Sequence, residues 1–349
     1  MKIIKKQFNI HNILKIRLSY ADNERFIIDS INFPFLYFEE YNEADPEITF
    51  NFGPFKREKT YCETVFRDTE VSKNYIYYRG EKNGSLYEVE ITDGYEGNIM
   101  INFNWIKKNL RDSFFPFYLP QLIGLEPMIE YKLLQKSWVL LHGAGIATGN
   151  GASIFIGRSG SYKSPITKIC LKDMNYKYMG DDKIVIKDNF AYSFPKNLSF
   201  FKYELSRDNS MIELNSTIEK LQAIFYLYLN KNIAPLEIQR KEKINSIFKI
   251  IKTDQTTKEI TLVDINKESL ISSMVYNNYA EFWNYYDIWN HLMAYAYVYD
   301  DSMFTDYRNI LYNNLSNNLK YIKNTYQILI PRNCSEFEIK RFLKNEINN

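Results

Sequence analysis

A glycine-rich loop at residues 157–164 holds the residue types that bind the phosphates of a nucleotide. Its sequence, GRSGSYKS, follows the apolar run ASIFI and precedes ITKICLKD, which has the pattern of a helix. A strand, a loop of this kind and a helix, in that order, present backbone N–H groups and the positive helix end to phosphate. Lys163 is expected at the terminal phosphates, and the Ser164 hydroxyl on Mg²⁺. The residues predicted to contact the nucleotide are Gly157, Ser159, Gly160, Ser161, Tyr162, Lys163 and Ser164.

Tyr162 departs from the strict patterns GxxxxGKS and GxxxxGKT, in which a glycine precedes the lysine. Glycine is used at that position because it accepts backbone angles that a Cβ disfavours and lets the main chain approach phosphate closely. A tyrosine is therefore expected to crowd the nucleotide or to distort the loop. Stacking on the base and closure over the phosphates are the alternatives, and the sequence leaves them open.

Two adjacent carboxylates, Asp181 and Asp182, follow the run YKYMG and begin 18 positions after Lys163. Adjacent residues of an extended segment point to opposite sides, so one carboxylate can bind the metal while the other takes the proton of an attacking hydroxyl. His142 ends the run WVLL, 15 positions before Gly157. A lone histidine is more often a core or capping residue than a catalytic one.

Together, His142-Gly143, the loop at 157–164 and Gly180-Asp181-Asp182 resemble, in order and spacing, the kinase domain of HPr kinase/phosphorylase and its relatives. The resemblance covers residues 136–195 and is weak elsewhere. It implies a fold related to phosphoenolpyruvate carboxykinase, and ATP-dependent phosphorylation of a serine hydroxyl on a peptide or protein.

Carried over to this chain, the resemblance implies that Lys163 binds the β- and γ-phosphates of ATP or another nucleoside triphosphate. It also implies that Ser164 and Asp182 serve Mg²⁺, that Asp181 is the general base, and that His142 lies near the transferred phosphate. The roles of the two aspartates can be exchanged.

The acceptor side of the resemblance is less defined. A later acidic residue and a later arginine of the family are assigned by position only, to Glu204 and Arg207. Because the N-terminal region and the helical tail do not look like those of the sugar-regulation enzyme, HPr is not the expected substrate. The serine of a ribosomally made peptide is the first substrate class, and a free amino acid is the second.

Two other hypotheses remain. In the first, the fold is kept as a non-catalytic module whose cleft holds a peptide or a small anion, because Tyr162 replaces the loop glycine. In the second, the set is a coincidence: an ordinary turn, a surface Asp pair and a core histidine in some other α/β protein. Convergence of His142, Lys163 and Asp181 on one cleft would count against coincidence, because scattered side chains cannot share one phosphate.

The surrounding pattern predicts an α+β chain. Residues 1–108 contain short β-branched and aromatic runs between turn residues, which is typical of a mostly antiparallel β domain. Residues 109–135 show helical spacing interrupted by prolines and are predicted to form a helical connection. Residues 136–349 are predicted to form an HPr kinase-like P-loop domain that is mainly helical after about Asp208. Arg240-Lys241-Glu242-Lys243 is interpreted as a solvated helix face.

Composition and charge indicate which binding partners and which cellular compartment to expect. A formal net charge of +2 gives no global electrostatic reason to expect nucleic acid. Three widely separated cysteines form neither a disulfide framework nor a metal-binding CxxC, which favours a reducing compartment. The N-terminal residues lack an apolar signal segment, and no run is apolar enough to span a bilayer. We therefore expect a cytoplasmic protein without a membrane partner; a homo-oligomer is left open.

Overall fold

The computed structural model describes residues 2–22, 35–40, 45–59, 61–92, 97–114, 118–195, 237–254, 259–285, 288–299 and 306–347. The chain divides into two compact units: Met1–Lys136 with Glu281–Ile310, and Ser137–Ala280 with Leu311–Asn349. Each unit contains a mixed sheet and helices, so the class is α+β, as the sequence predicts.

The first unit is built on a sheet whose described strands have the order β3-β1-β2-β4-β9-β8-β7-β6-β5. Neighbours in this order pair antiparallel, except that β4 is parallel to both β2 and β9. The sheet is therefore mostly antiparallel, as the sequence predicts. Its strands are β1 (Ile3–Ile10), β2 (Leu14–Ala21), β3 (Glu39–Glu40), β4 (Ile48–Phe52), β5 (Glu63–Phe66), β6 (Thr69–Ser72), β7 (Tyr75–Lys82), β8 (Ser85–Thr92) and β9 (Ile99–Lys107).

The turn between β7 and β8 shows how the local sequence sets this sheet. Lys82 pairs with Ser85, so the hairpin has the two-residue loop Asn83-Gly84. Both loop residues have positive φ, 54° and 81°. An Asn-Gly pair accepts these angles readily, and the resulting turn matches the twist of the strands.

Short helices follow the sheet along the chain, where the sequence predicts a helical connection. They are α2 (Leu110–Phe114), α3 (Tyr118–Pro120), a π-helical turn (Gln121–Leu125) and α4 (Glu126–Gln135), whereas the short helix α1 (Phe35–Phe38) lies earlier, before β3.

Helix α7 (Ile288–Tyr299) also belongs to the first unit, although the sequence-based division assigns it to the second domain. It packs on β5, β6 and β7. The buried ring of His291 stacks on Tyr78 with centroids 3.7 Å apart, and its Nδ1 lies 2.6 Å from Thr69 Oγ1. These contacts join residues that are more than 200 positions apart in the chain, so sequence periodicity could not reveal them.

The second unit has a sheet of order β10-β14-β15-β16-β12-β11-β13, extended from β16 through β18 to β17. Between residues 139 and 192 its elements fall where the sequence predicts them. The strands are β10 (Val139–His142), β11 (Ala144–Thr148), β12 (Gly151–Ile156), β13 (Lys177–Gly180), β14 (Lys183–Lys187), β15 (Phe190–Tyr192), β16 (Lys241–Thr253), β17 (Thr261–Asp264) and β18 (Asn324–Pro331). The helices are α5 (Lys163–Asp173), α6 (Lys267–Tyr285), α8 (Tyr307–Asn318) and α9 (Glu336–Glu346), of which α6 and α8 each cross the boundary between the units.

The interpretation of residues 240–243 as a helix face is wrong, because Lys241–Thr253 is strand β16. This strand is parallel to both β12 and β18, and its middle contains the buried apolar residues Ile244, Ile247, Phe248 and Ile250. The described part of the region after Asp208 is mostly helical, as the sequence predicts, but it also contains strands β16, β17 and β18. Glu204, Arg207 and residues 208–236 of the region predicted to be mainly helical lie outside the described residues.

None of the helices in the described part of the chain is both long and apolar enough to cross a bilayer.

Candidate functional site

The glycine loop and the Asp pair emerge at the same edge of the second unit's sheet. Strand β11 pairs antiparallel with both β12 and β13, so β12 and β13 run parallel to each other. The loop follows β12, and Asp181 follows β13, two strand spacings or about 10 Å to the side. Sheets with parallel strands bind ligands beyond the carboxyl ends of those strands. The predicted strand, loop and helix are thus present in the arrangement that a phosphate site requires.

The loop backbone is shaped by close contacts and by the start of α5. A Cβ at Gly157 would lie 2.5 Å from Ser161 Oγ and 2.9 Å from the carbonyl oxygen of Ile250, so only glycine fits there. Gly160 has φ of 79°, and the Ser161 N–H donates to the Arg158 carbonyl at 3.1 Å. The N-terminus of α5 has no side-chain cap. The N–H groups of its first turn therefore lack intrahelical acceptors and face the loop with the positive end of the helix dipole.

Lys163 holds the loop from inside. Its ammonium donates to the carbonyl oxygens of Gly157 at 2.5 Å and Arg158 at 3.1 Å, and the residue is only 7% exposed. These two loop carbonyls therefore face the Lys163 ammonium. The backbone N–H groups of the loop are then left to bind a ligand.

Tyr162 has a backbone conformation that glycine adopts more readily than other residues. Its φ of 72° and ψ of 10° are left-handed. The side chain packs on the core cluster beside α9, and its hydroxyl donates to the Arg332 carbonyl at 2.6 Å. Lys252 Nζ lies 4.9 Å from the ring centroid. Burial raises the pKa of the phenol, which stays neutral and can donate at neutral pH. The ring is therefore held by the Arg332 carbonyl, the core cluster and Lys252.

His142 and the Asp pair face each other across one bent strand ladder. β10 pairs with β14 and β11 pairs with β13, and the ladder bends at Gly143 on one side and at Asp181-Asp182 on the other. The Gly143 N–H donates to the Asp182 carbonyl at 3.1 Å. His142 Nδ1 lies 3.6 Å from Asp182 Oδ1, within ion-pair distance when the ring is protonated. Asp181 is buried and the Asp182 side chain is 41% exposed, so the two carboxylates have different surroundings.

Helix α6 fixes this bend with two neighbouring amides, which we call the Asn clamp (Asn277 and Asn278). Asn278 accepts from the His142 N–H at 2.7 Å and donates to the Leu140 carbonyl at 2.8 Å. Asn277 Nδ2 donates to the His142 carbonyl at 3.0 Å. Both residues are buried. The clamp therefore sets the position of His142 from a helix more than 130 residues away in the chain.

A cavity of about 690 Å³ opens between the loop, the end of β16 and helix α6. The loop side comprises residues 157–161, and α6 contributes the face formed by Ser273, Tyr276, Asn277 and Ala280. Its size falls within the range of small-molecule sites. Three cations line it, Arg158, Lys249 and Lys252, while no Asp or Glu is among its described lining residues.

Two buried polar atoms at this cavity have no hydrogen-bond partner among the described residues: Ser161 Oγ and Asn277 Oδ1. A buried polar atom without a partner is costly and rare in folded proteins. The cations and the Ser161 hydroxyl, which can donate, suit an anionic group on the loop side of the cavity, whereas Asn277 Oδ1 is an acceptor and suits a donor on the α6 side. The site therefore fits the phosphates of a nucleotide.

The predicted residues fall into two groups. Gly157, Ser159, Gly160 and Ser161 line the cavity, whereas none of its described lining residues is His142, Tyr162, Lys163, Ser164, Asp181 or Asp182. His142 and Asp182 form the second group, and Asn277 joins the groups because it lines the cavity and bonds the His142 carbonyl. Ser164 lies exposed in the first turn of α5.

The metal residues predicted from the sequence, Ser164 and Asp182, do not belong to a larger ligand cluster. Within the residues that the structure describes, no three His, Cys, Asp or Glu side chains come together as a metal site. Magnesium at a nucleotide needs only one or two carboxylates, because phosphates and water complete its shell. A hydroxyl and one carboxylate are consistent with that demand.

Four functional candidates escaped the sequence reasoning: Lys249, Lys252, Tyr276 and Asn277. The lysines lie in strand β16 beyond residues 240–243, in a region that the sequence predicts to be mainly helical. Tyr276 and Asn277 lie in the region that the sequence predicts only as mainly helical. The spacing of Ser273, Tyr276, Asn277 and Ala280 is that of one helix face, but no sequence pattern tells which partner that face meets.

Sequence comparison adds no relatives to this picture. No protein-family model matches the chain, and no curated protein matches it.

Proposed function

We propose that this protein is an ATP-dependent phosphotransferase, similar to HPr kinase, that phosphorylates a serine hydroxyl of a peptide or protein. The observation that carries the proposal is the shared sheet edge. The loop at 157–164 and the Asp181-Asp182 pair follow two parallel strands, and His142 contacts Asp182 there. Phosphoryl transfer needs a phosphate cradle and a carboxylate within reach of each other, which this arrangement supports.

The cradle suits a nucleotide on three counts. Gly157 has no room for a Cβ, so the main chain can approach phosphate closely. The Ser161 hydroxyl is buried at the cavity with no partner among the described residues. Arg158, Lys249 and Lys252 surround the cavity without a described carboxylate, which favours an anionic ligand. The Tyr162 side chain is engaged by the Arg332 carbonyl and the core cluster, which supports a loop that stays open to a nucleotide despite the substitution for glycine.

In the proposed reaction, bound Mg·ATP supplies the phosphoryl group that is transferred. Lys163 holds the loop in shape and adds positive charge beneath the phosphates. Ser164 and Asp182 are the residues that would hold the metal. Asp181 accepts the proton of the attacking serine hydroxyl. Because this carboxylate is buried, few water molecules can take the place of the serine beside it. The Asn clamp keeps His142 beside Asp182, where its ring can stabilise negative charge.

A non-catalytic binding module is the second candidate. It is favoured by one observation: His142, Asp181 and Asp182 are not among the described residues that line the cavity. A module of this kind would bind a nucleotide or another anion in the cavity and leave it unchanged.

Binding and turnover separate the two candidates. We expect Mg·ATP to bind the parent chain in calorimetry, and Lys163→Met to weaken binding at least about tenfold, because charge-assisted contacts are worth about 1.5–3 kcal/mol. Lys172→Met is the matched control, since this lysine lies in the last turn of the same helix. Thermal melts of both variants show whether the loop still folds.

Turnover is measured as ADP release with a degenerate mixture of serine-containing peptides, against the same mixture with alanine in place of serine. We expect serine-dependent ADP release that Asp181→Asn abolishes while its ATP affinity stays near that of the parent. ATP binding without serine-dependent turnover supports the binding module, and the absence of ATP binding contradicts both candidates.

A further inference from the structure

The groups for phosphoryl transfer and the cavity lie on opposite sides of β12. In the sheet order, β13 with Asp181-Asp182 lies on one side of β12, and β16 with Lys249 and Lys252 lies on the other. The glycine loop stands between them. A nucleoside triphosphate laid across the loop with its reacting end at the Asp pair therefore extends its base into the cavity.

Two residues of α6 equip the cavity for a base. Tyr276 is 63% exposed and lines the cavity, so its ring face can receive a stacked base. Asn277 lies deeper and is only 6% exposed. Its Oδ1 is buried and has no partner among the described residues.

The orientation of the Asn277 amide is fixed by its neighbour. Nδ2 donates to the His142 carbonyl at 3.0 Å. With the amide turned over, Oδ1 would face that carbonyl oxygen, and two acceptors repel each other. The unpartnered atom of this cavity-lining residue is therefore an acceptor, which an N–H or O–H donor of a ligand would satisfy.

On these grounds, and resting on the proposed function, we infer that the cavity is a purine subsite that selects adenine. The base stacks on Tyr276, and its 6-amino group donates to Asn277 Oδ1. Guanine and hypoxanthine carry a carbonyl oxygen at the same position, which would meet Oδ1 as a second acceptor. Selection of this kind comes from the unpaired acceptor as well as from the new hydrogen bond.

The test compares four Mg-bound probes in calorimetry with the full chain: ATP, purine riboside triphosphate, inosine triphosphate and inorganic tripolyphosphate. Purine riboside triphosphate differs from ATP only by lacking the 6-amino group. We expect the parent to bind ATP about tenfold more tightly than this analogue, the factor that one buried hydrogen bond supplies. Inosine triphosphate should bind more weakly still.

Variants assign the selection to Asn277. Asn277→Ala should bind ATP and the purine analogue equally, whereas Asn278→Ala should keep the parent's preference. Both variants remove clamp bonds to β10, but only Asn277 lines the cavity. Tyr276→Ala should weaken the binding of ATP and of its purine analogue by the same factor, because stacking does not depend on the 6-amino group. The binding of tripolyphosphate, which has no base, should be unchanged.

The parent alone can overturn the inference without any variant. If it binds tripolyphosphate and ATP equally, the phosphate site stands and the base subsite is refuted. Equal binding of ATP and its purine analogue refutes the role of Asn277. If neither tripolyphosphate nor ATP binds, the proposed function fails and the subsite fails with it.

Discussion

Replacing Tyr162 with glycine should lower stability without improving nucleotide binding. The change removes the hydroxyl bond to the Arg332 carbonyl, about 1 kcal/mol, and the contact with Lys252, about 0.5–1 kcal/mol. Loss of the partly buried ring adds about 1–2 kcal/mol. Glycine also removes the strain of the left-handed backbone, which stabilises the folded state by about 1–2 kcal/mol. The greater conformational freedom of glycine in the unfolded chain offsets about 0.4–1 kcal/mol of that gain. The free energy of unfolding should therefore fall by about 2–3 kcal/mol.

Urea denaturation of a short series checks this sum. Tyr162→Phe should cost about 1 kcal/mol, because it removes only the hydroxyl bond. Tyr162→Ala should be less stable than Tyr162→Gly by about 1 kcal/mol, since alanine loses the ring and keeps the strained φ of 72°. Asn175→Gly is the control at the other end of α5, where φ is 55° and the residue is exposed, so relief of strain appears there without loss of a packed ring.

Calorimetry on the same variants tests the site. The ATP affinity of Tyr162→Gly should equal that of the parent within about twofold, because the ring lies outside the cavity. Binding of ATP to Tyr162→Gly but not to the parent would show that the ring closes the loop. That result would refute the reasoning from its packing.

Two further predictions concern glycine and cysteine. Gly157→Ala should lower stability by about 1–3 kcal/mol and abolish ATP binding in calorimetry, because its Cβ would clash with Ser161 Oγ and the Ile250 carbonyl. Gly149→Ala is the control and should be neutral, since nothing lies within 4 Å of a Cβ at that position. Burial raises the pKa of Cys170 from 9.0 to about 12. Above about pH 9 the unfolded thiol loses a proton that the folded thiol keeps, so stability falls by up to about 1.4 kcal/mol per pH unit. Urea denaturation of Cys170→Ala should lack this contribution, and an unchanged alkaline slope would contradict it.

The sequence anticipates the strands between residues 139 and 192 because their local signals agree. Short apolar runs alternate with turn residues, and each run is too short for a helix. The order strand, loop, helix and strand then places the glycine loop and the Asp pair near one sheet edge before any coordinate is known. Register decides the rest, since the contact of His142 with Asp182 depends on the bend at Gly143.

Strand β16 shows where local reading fails. Its first residues alternate basic and acidic side chains, which suits an exposed helix as well as a strand end. Its middle has no clear period, because the buried residues Ile247, Phe248 and Ile250 stand beside Ser246 and Lys249. The missed strand hid Lys249 and Lys252, and with them one wall of the cavity.

Tyr162 and Asn277 are missed for a different reason. A sequence pattern prescribes glycine where the backbone must be left-handed, but packing of the Tyr162 ring on a distant core holds the same angle. The role of Asn277 depends on a tertiary contact with His142, 135 positions earlier. Neither effect has a local signature.

The Asn clamp has a consequence for association between molecules. Among the described strands, β10 pairs only with β14, so its other side would present main-chain groups to a strand from another chain. Such open sides are the usual starting points of strand-to-strand aggregation. At Leu140 and His142 those groups are already bonded to the two amides of α6, which act in place of a neighbouring strand. Conversion of either asparagine to aspartate by spontaneous deamidation would set a carboxylate against a backbone carbonyl, so the chemical ageing of two side chains would open the sheet to self-association.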